Sequence, residues 1–218
     1  MTIIYLVRHS VRMKKNLIEE YKTNQSEQLK IEKIVLSPLG EERAKLLCSK
    51  PIFDNIDKIY TSNCVRTLET AKYLMDRLNL KVTIDERFDE RRLGIPNDKE
   101  YPNWFELQFN DENFKTIGGE SQKEVRDRMS VAIDEILIKD KNKEICIFTH
   151  GYAILYYLMK YCEFIYHDRS RVELKFNNKT IFNRYLNAPE VIKLSFNNKV
   201  IKNIEFIEFE DIDYNLGV

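Results

Sequence analysis

The stretch "TIIYLVRHSVR" (Thr2–Arg12) decides how this chain is read. Its first six residues are β-branched, aliphatic or aromatic and show no polar face. That pattern predicts a strand buried on both sides, as in a parallel or mixed central sheet. The strand then runs into Arg8 and His9, with Arg12 close behind. Taken alone, an arginine–histidine pair at a strand end is more often satisfied by backbone carbonyls than used in chemistry. The rest of the chain has to decide between the two readings.

Working outward, strands and helices alternate. "SPLGEERAKLLCSK" opens on Ser37 and Pro38, a helix start. "DKIYTS" is a second short strand, and "NCVRTLETAKYLMDRLNL" has apolar residues at a helical period. "KVTIDE" reads as a third strand, and "SQKEVRDRMSVAIDEILIKD" as a helix whose Ser121 and Glu124 form a capping box. "KEICIFTH" is another apolar strand, and "GYAILYYLMKYC" another helix. This order predicts an α/β fold, a three-layer sandwich with a mostly parallel central sheet and helices on both faces. Residues 93–120 break the alternation and carry Trp104, Phe105, Phe109 and Phe114, which suggests a small cap insertion in a single domain spanning 1–218. Near the C-terminus "VELKFNNKTIF" and "VIKLSFNNKVIKNIEF" share F-N-N-K, so two antiparallel hairpins are expected on the sheet edge, each turning at Asn-Asn.

The totals exclude several classes of protein. A chain of 218 residues with 43% hydrophobic and 32% charged residues, 6 Gly and 5 Pro suits a packed domain, not a disordered or fibrous one. Lys+Arg and Asp+Glu both number 35, so no global field draws in nucleic acid or membrane, and only a local basic pocket could hold an anion. Cys48, Cys64, Cys146 and Cys162 make no C-x-x-C pair and read as buried free thiols. The only histidines are His9, His150 and His167, too few and too scattered to suggest a metal site, and no cofactor is expected either. No secretory leader or membrane-length apolar run is visible, which suggests a cytoplasmic location. An unprotected edge strand is compatible with a homodimer.

Ligands of open α/β sheets sit beyond the carboxyl ends of the strands. Three such ends carry Arg8-His9, "TSNCVR" with Arg66, and Thr149-His150-Gly151. Two histidines and at least two arginines therefore converge on one edge. Arginine forks hold phosphate oxygens and neutralise charge on a phosphoryl group in transfer. A neutral imidazole beside them is a competent nucleophile toward phosphorus, and His9, between Arg8 and Arg12, is the better candidate. His150 would stabilise the transferring group. A proton donor for the leaving alcohol is sought in "DERFDERRLG". Glu90 is the choice there, with Glu86 and Asp89 as alternatives in the same charge run.

These residues resemble the histidine phosphatase superfamily, which includes cofactor-dependent phosphoglycerate mutases and many small phosphatases. The resemblance rests on "LVRHS", "LSPLGEERA", "YTSNCVRTLETA", "FDERRLG", "GGES" and "THG", in family order over roughly the first 150 residues. It implies a phosphorylated His9, a phosphoryl group bound by Arg8, Arg66 and His150, and Glu90 as general acid and base, without metal. Ser10 stands where the family usually has Gly. Arg12 matches the R-H-G-x-R branch and so implies a third phosphate-pocket arginine, against a surface cluster with Lys14 and Lys15. Asn63 and Glu69 replace a common Pro and Gln and are expected to tune a helix start. Glu120 reads either as a helix-start charge or as a holder of a pocket arginine, and His167 as a surface-loop residue.

The function implied is a metal-independent phosphomonoesterase acting on a small phosphorylated substrate. The enzyme alternative is a phosphoglycerate mutase. "ERRLG" matches the mutase segment E-R-x-Y-G except at Leu93, and no longer arginine-rich insertion follows. A non-catalytic phosphate-ligand binding module is the third reading, and it would be expected to lack His9 or Glu90.

Overall fold

The computed structural model describes residues 1–14, 26–95, 101–168 and 171–214. Lys15, and residues 96–100 of the expected cap, lie outside them. The first strand, β1 (Thr2–Arg8), sits inside a six-stranded sheet. Its partners are β2 (Lys58–Thr61), β3 (Val82–Ile84), β4 (Glu144–Thr149), β8 (Glu190–Asn197) and β9 (Val200–Ile207), in the order β3-β2-β4-β1-β8-β9. The first four in that order run parallel, and β8 and β9 are antiparallel.

Alternation along β1 builds a core on each face. Ile4 and Leu6 pack with α5 (Gln122–Lys139) and α6 (Gly151–Leu158). Ile3, Tyr5 and Val7 pack with α2 (Pro38–Cys48) and α3 (Val65–Leu78) on the other side. The result is the three-layer α/β arrangement. A buried aliphatic in such a strand is costly to truncate, about 2–5 kcal/mol for Leu6→Ala.

Local chemistry fixes the helix starts. Ser37 accepts from the Gly40 N–H, and Ser121 with Glu124 closes the reciprocal capping box on α5. Gly40 is required by crowding, because a Cβ there would sit 2.0 Å from the Val11 carbonyl oxygen. The same oxygen accepts from the Ser37 N–H at 2.9 Å, so α2 is docked directly on the loop that follows β1.

The C-terminal region departs from expectation. Only β8–β9 joins the edge of the central sheet. The other hairpin, β6 (Arg171–Phe176) with β7 (Lys179–Arg184), pairs instead with β5 (Glu163–Asp168) in a separate three-stranded sheet. The identical F-N-N-K fragments also turn differently. Asn177 and Asn178 both take positive φ between Phe176 and Lys179, whereas the second turn falls one residue later, at Asn198 and Lys199. Each hairpin carries a register shift, and strand pairing sets where the turn closes.

His167, expected in a loop, lies on β5, 3.3 Å from Glu173 on the neighbouring strand. The apolar run after His150 is helical only to Leu158, so its hydrophobicity marked burial and not helix length. The short helix α4 (Trp104–Asn110) places Phe109 against Phe164 and Tyr166 of β5. No helix among the described residues is long and apolar enough to cross a membrane.

Candidate active site

Sheet register sets the site. Arg8 pairs with Thr149, and the His9 N–H donates to the Thr149 carbonyl at 2.9 Å. His9 and His150 therefore leave adjacent parallel strands side by side, with ring centroids 5.2 Å apart. Arg66, in the first turn of α3, reaches the same place. Its Nη2 donates to His150 Nδ1 at 3.0 Å and its Nη1 to the Ile31 carbonyl at 2.9 Å. His9, Arg66 and His150 are 6%, 2% and 0% exposed, so all three are buried, His9 with an edge on an open cleft.

Their partners set both imidazole tautomers. His9 Nδ1 lies 2.7 Å from the Ser10 carbonyl oxygen. A carbonyl only accepts, so Nδ1 carries the hydrogen and Nε2 keeps its lone pair. At His150 a guanidinium, which only donates, faces Nδ1, so Nε2 must be the donor, to Ser62 Oγ at 2.7 Å. Ser62 Oγ also accepts from the Cys64 N–H and meets Thr67 Oγ1 at 2.8 Å. Burial, then Arg66 and Arg8, holds His9 well below the usual imidazole range. Burial, then Arg66 and His9, does the same to His150. Both rings are neutral in a cationic setting.

Arg8 is gripped from the C-terminal region. Its Nη1 donates to the Leu186 and Asn187 carbonyls at 2.5 and 3.1 Å. The Asn187 N–H donates to Glu190, which is buried and paired with Arg184 at 2.7 Å. Gly151 leaves room for this arginine, since a Cβ there would lie 3.4 Å from Arg8 Nε. The Nε atoms of Arg8 and Arg66 are buried and make no hydrogen bond. Buried cationic donors without acceptors are costly, and an anion between them would supply the acceptors.

Glu90 reaches this edge from the segment after β3. Phe88 is fully buried, and Thr149 Oγ1 donates to its carbonyl at 2.6 Å. The carboxylate of Glu90 then lies over the first turn of α6. Oε1 accepts from the Arg91 and Ala153 N–H groups at 2.9 and 3.2 Å, and Oε2 only from Tyr152 at 3.4 Å. Arg128 steadies the segment by donating to the Arg87 and Glu90 carbonyls. Glu120 holds that arginine at 3.0 Å, so it does orient an arginine, one outside the phosphate cluster.

The alternatives to Glu90 point elsewhere. Glu86 is exposed, and Asp89 accepts from the Asn63 N–H at 2.7 Å. Burial raises the Asp89 carboxyl to about 6, but both side chains line a polar cleft without Arg8 and His9; Glu90 borders that cleft too, and alone of the three it also lines a second one with Arg8. Glu69 accepts from the Leu36 N–H at 2.6 Å and so ties α3 to the chain ahead of α2, a role beyond tuning a helix start.

Arg12 is exposed as a residue, yet burial of its head group, then Arg66 and Arg8, lowers its pKa. It lines a cleft of about 560 Å3 with Arg8, His9, Lys14 and Arg43. Ser10, fully buried, lines the same cleft; its N–H donates to Thr70 Oγ1, and its hydroxyl has no partner. Sequence reasoning missed the Ser62–Thr67 pair and the whole 184–190 clasp. The first was visible as hydroxyls at a strand end within "TSNCVRT". The second has no motif to signal it.

The sequence model of the histidine phosphatase superfamily, branch 1, matches residues 4–195. The chain belongs to that superfamily. A curated relative within reach of the sequence is a probable phosphoglycerate mutase, GpmB, of Yersinia enterocolitica, 30% identical over 127 residues. The match covers 55% of this chain and 59% of the relative, so the chain spans little more than half the relative's length. Among solved structures, YhfR of Bacillus stearothermophilus shares the fold, superposing with a TM-score of 0.69 at 20% identity and covering 93% of this chain and 95% of that one. A mycobacterial glucosyl-3-phosphoglycerate phosphatase in complex with inorganic phosphate gives 0.64 at 19% identity, covering 95% and 96%.

Proposed function

We propose that this protein is a metal-independent phosphatase that hydrolyses a small phosphomonoester through a phosphohistidine on His9. The observation that carries the reading is the pair of neutral, buried imidazoles beside two guanidinium Nε atoms that lack acceptors. A phosphoryl group in that position satisfies Arg8 and Arg66, and Arg12 contributes from the open side. His9 Nε2 attacks phosphorus, the P–O bond to the leaving alcohol breaks, and Glu90 gives that oxygen a proton. Glu90 Oε2, less engaged by backbone donors than Oε1, is the oxygen that carries it. Water then attacks the phosphohistidine, Glu90 takes the water's proton, and orthophosphate leaves as the N–P bond breaks.

His150 has two roles in this cycle. In the free protein it accepts from Arg66 and so orients it. A phosphoryl dianion against the ring favours the protonated imidazole, which then donates from Nδ1 to a phosphoryl oxygen while Ser62 still accepts from Nε2. The stretch 93–120 is assigned as a cap insertion within one domain of residues 1–218, and among its described residues Phe105 and Phe109 line a cleft with Arg8 and Glu90.

The test is hydrolysis of p-nitrophenyl phosphate in the presence of a chelator, by the wild type and by His9→Ala. Chelator-resistant hydrolysis that disappears with His9 is the result expected. Hydrolysis that needs added metal, or that survives loss of His9, contradicts the proposal. The mutase-named relative favours a second reading, transfer between phosphoglycerates. Robust interconversion of phosphoglycerates with a catalytic bisphosphoglycerate would establish that reading instead.

A further inference from the structure

The loop between β7 and β8, residues 185–189, forms neither strand nor helix, yet charged side chains pin its backbone at successive residues. Arg8 Nη1 donates to the Leu186 and Asn187 carbonyls, and Arg43 Nη1 donates to the Ala188 carbonyl at 3.0 Å. The Asn187 N–H donates to Glu190 Oε2 at 2.8 Å. Glu190, 2% exposed, opens β8 directly beside Arg8 in the register of the central sheet. Its carboxylate takes a forked contact from Arg184, Nη1 to Oε2 at 2.7 Å and Nη2 to Oε1 at 3.0 Å. Glu208 holds the same arginine at 2.6 Å.

One peptide group joins Glu190 to Arg8. The N–H of Asn187 and the carbonyl of Leu186 belong to the same peptide plane, so Glu190 grips one edge of it while Arg8 grips the other. An anion on the N–H polarises the peptide and makes its oxygen a better acceptor. Arg184 matches the carboxylate, which therefore does not oppose the positive potential of the phosphate cluster. A buried ion pair of this kind adds little to stability by itself, because desolvation offsets its attraction. Its effect here is on the placement of Arg8. Nη1 is engaged by the loop, the Tyr185 ring lies 5.7 Å from the guanidinium, and Nε stays buried with no acceptor. A guanidinium already held in one orientation gives up little freedom when a phosphoryl oxygen arrives.

We propose that Glu190 and Arg184 are positioning residues for phosphate binding, acting on Arg8 through the Leu186–Asn187 peptide. This deepens the phosphatase reading and rests on it. The test is a double-variant cycle on the Kd of inorganic phosphate, measured by titration calorimetry at low salt on wild type, Glu190→Gln, Arg8→Ala and the double variant. Glu190→Gln should weaken phosphate about fivefold with Arg8 present and less than about twofold once Arg8 is gone, a coupling of the size found between side chains in one network. Arg184 keeps Glu208 as a partner in Glu190→Gln, so no unpaired charge is released toward the site. Arg184→Lys keeps the charge but loses the fork, and should couple to Arg8 in the same sense; it carries the test if Glu190→Gln does not fold. Equal losses with and without Arg8, or unchanged affinity in the clasp variants, would overturn the proposal, since a merely structural residue weakens both backgrounds alike. An affinity that still falls in Arg8→Ala then leaves the phosphatase reading standing. Phosphate binding indifferent to Arg8 also overturns the proposal, and with no His9-dependent hydrolysis it removes both.

Discussion

Two neutral histidines sealed beside arginines make the fold sensitive to mild acid, and the effect can be worked through. An unfolded histidine titrates near pH 6.5, whereas His9 and His150 are held well below that by burial and by Arg66. Because the folded pKa values are depressed, the unfolded chain binds more protons as pH falls. The stabilisation is thus complete above about pH 6.5 and is lost on acidification toward the folded values. Between about pH 7 and about pH 5 an unfolded histidine gains most of one proton, worth about 2 kcal/mol if the folded ring gains none. Two such rings give about 4 kcal/mol, a large share of the 5–15 kcal/mol typical of a domain.

The assay is urea unfolding at both pH values, in phosphate-free buffer, for wild type and His9→Gln/His150→Gln. Carboxylates titrate in both proteins, so the informative quantity is the difference in acid-induced loss. The wild type should lose several kcal/mol more than the double variant. Equal losses in wild type and double variant would show that the two rings are protonated in the folded protein at about pH 5, and would refute the electrostatic picture of the site.

Three further outcomes follow from the same geometry. Glu90→Gln should lower kcat/KM, which reports departure of the leaving group, by roughly a hundredfold or more for an alkyl phosphate but much less for p-nitrophenyl phosphate, whose leaving group departs as a stable anion; equal losses of kcat/KM on both would remove Glu90 as the acid. Ser62→Ala leaves the His150 Nε2–H without its acceptor in a fully buried place, so thermal unfolding should report a loss of about 1–3 kcal/mol, and an unchanged Tm would contradict the assigned tautomer. Arg12→Ala should weaken phosphate binding about two- to fivefold, more at low salt than at high, as suits a cation at the open side of the cluster; unchanged affinity would return Arg12 to the surface.

What the sequence made legible was whatever one segment carries by itself. The apolar "TIIYLV" and "EICIF" runs announced buried parallel strands, and the residues after them named His9 and His150 before any geometry was known. Ser121 and Glu124 announced a helix start because a capping box is local. The illegible part depended on distant pairing. Two identical F-N-N-K fragments gave hairpins in different sheets, since partner strands and not turn residues decide sheet membership. The clasp on Arg8 uses the carbonyls of Leu186 and Asn187, and backbone acceptors leave no signature in residue types. Tautomers were equally hidden, because Ser62 and His150 are 88 residues apart in the chain.

The fate of the phosphoryl group is the most direct test of phosphohistidine chemistry at His9. Rapid mixing with substrate, an alkaline quench that preserves phosphoramidates, and peptide mapping by mass spectrometry would locate it during turnover. An acid-labile phosphate is expected on the peptide containing His9, appearing and decaying at rates consistent with turnover and absent from His9→Ala. Turnover with no covalent phosphate, or with phosphate carried on His150 or another side chain, would contradict it.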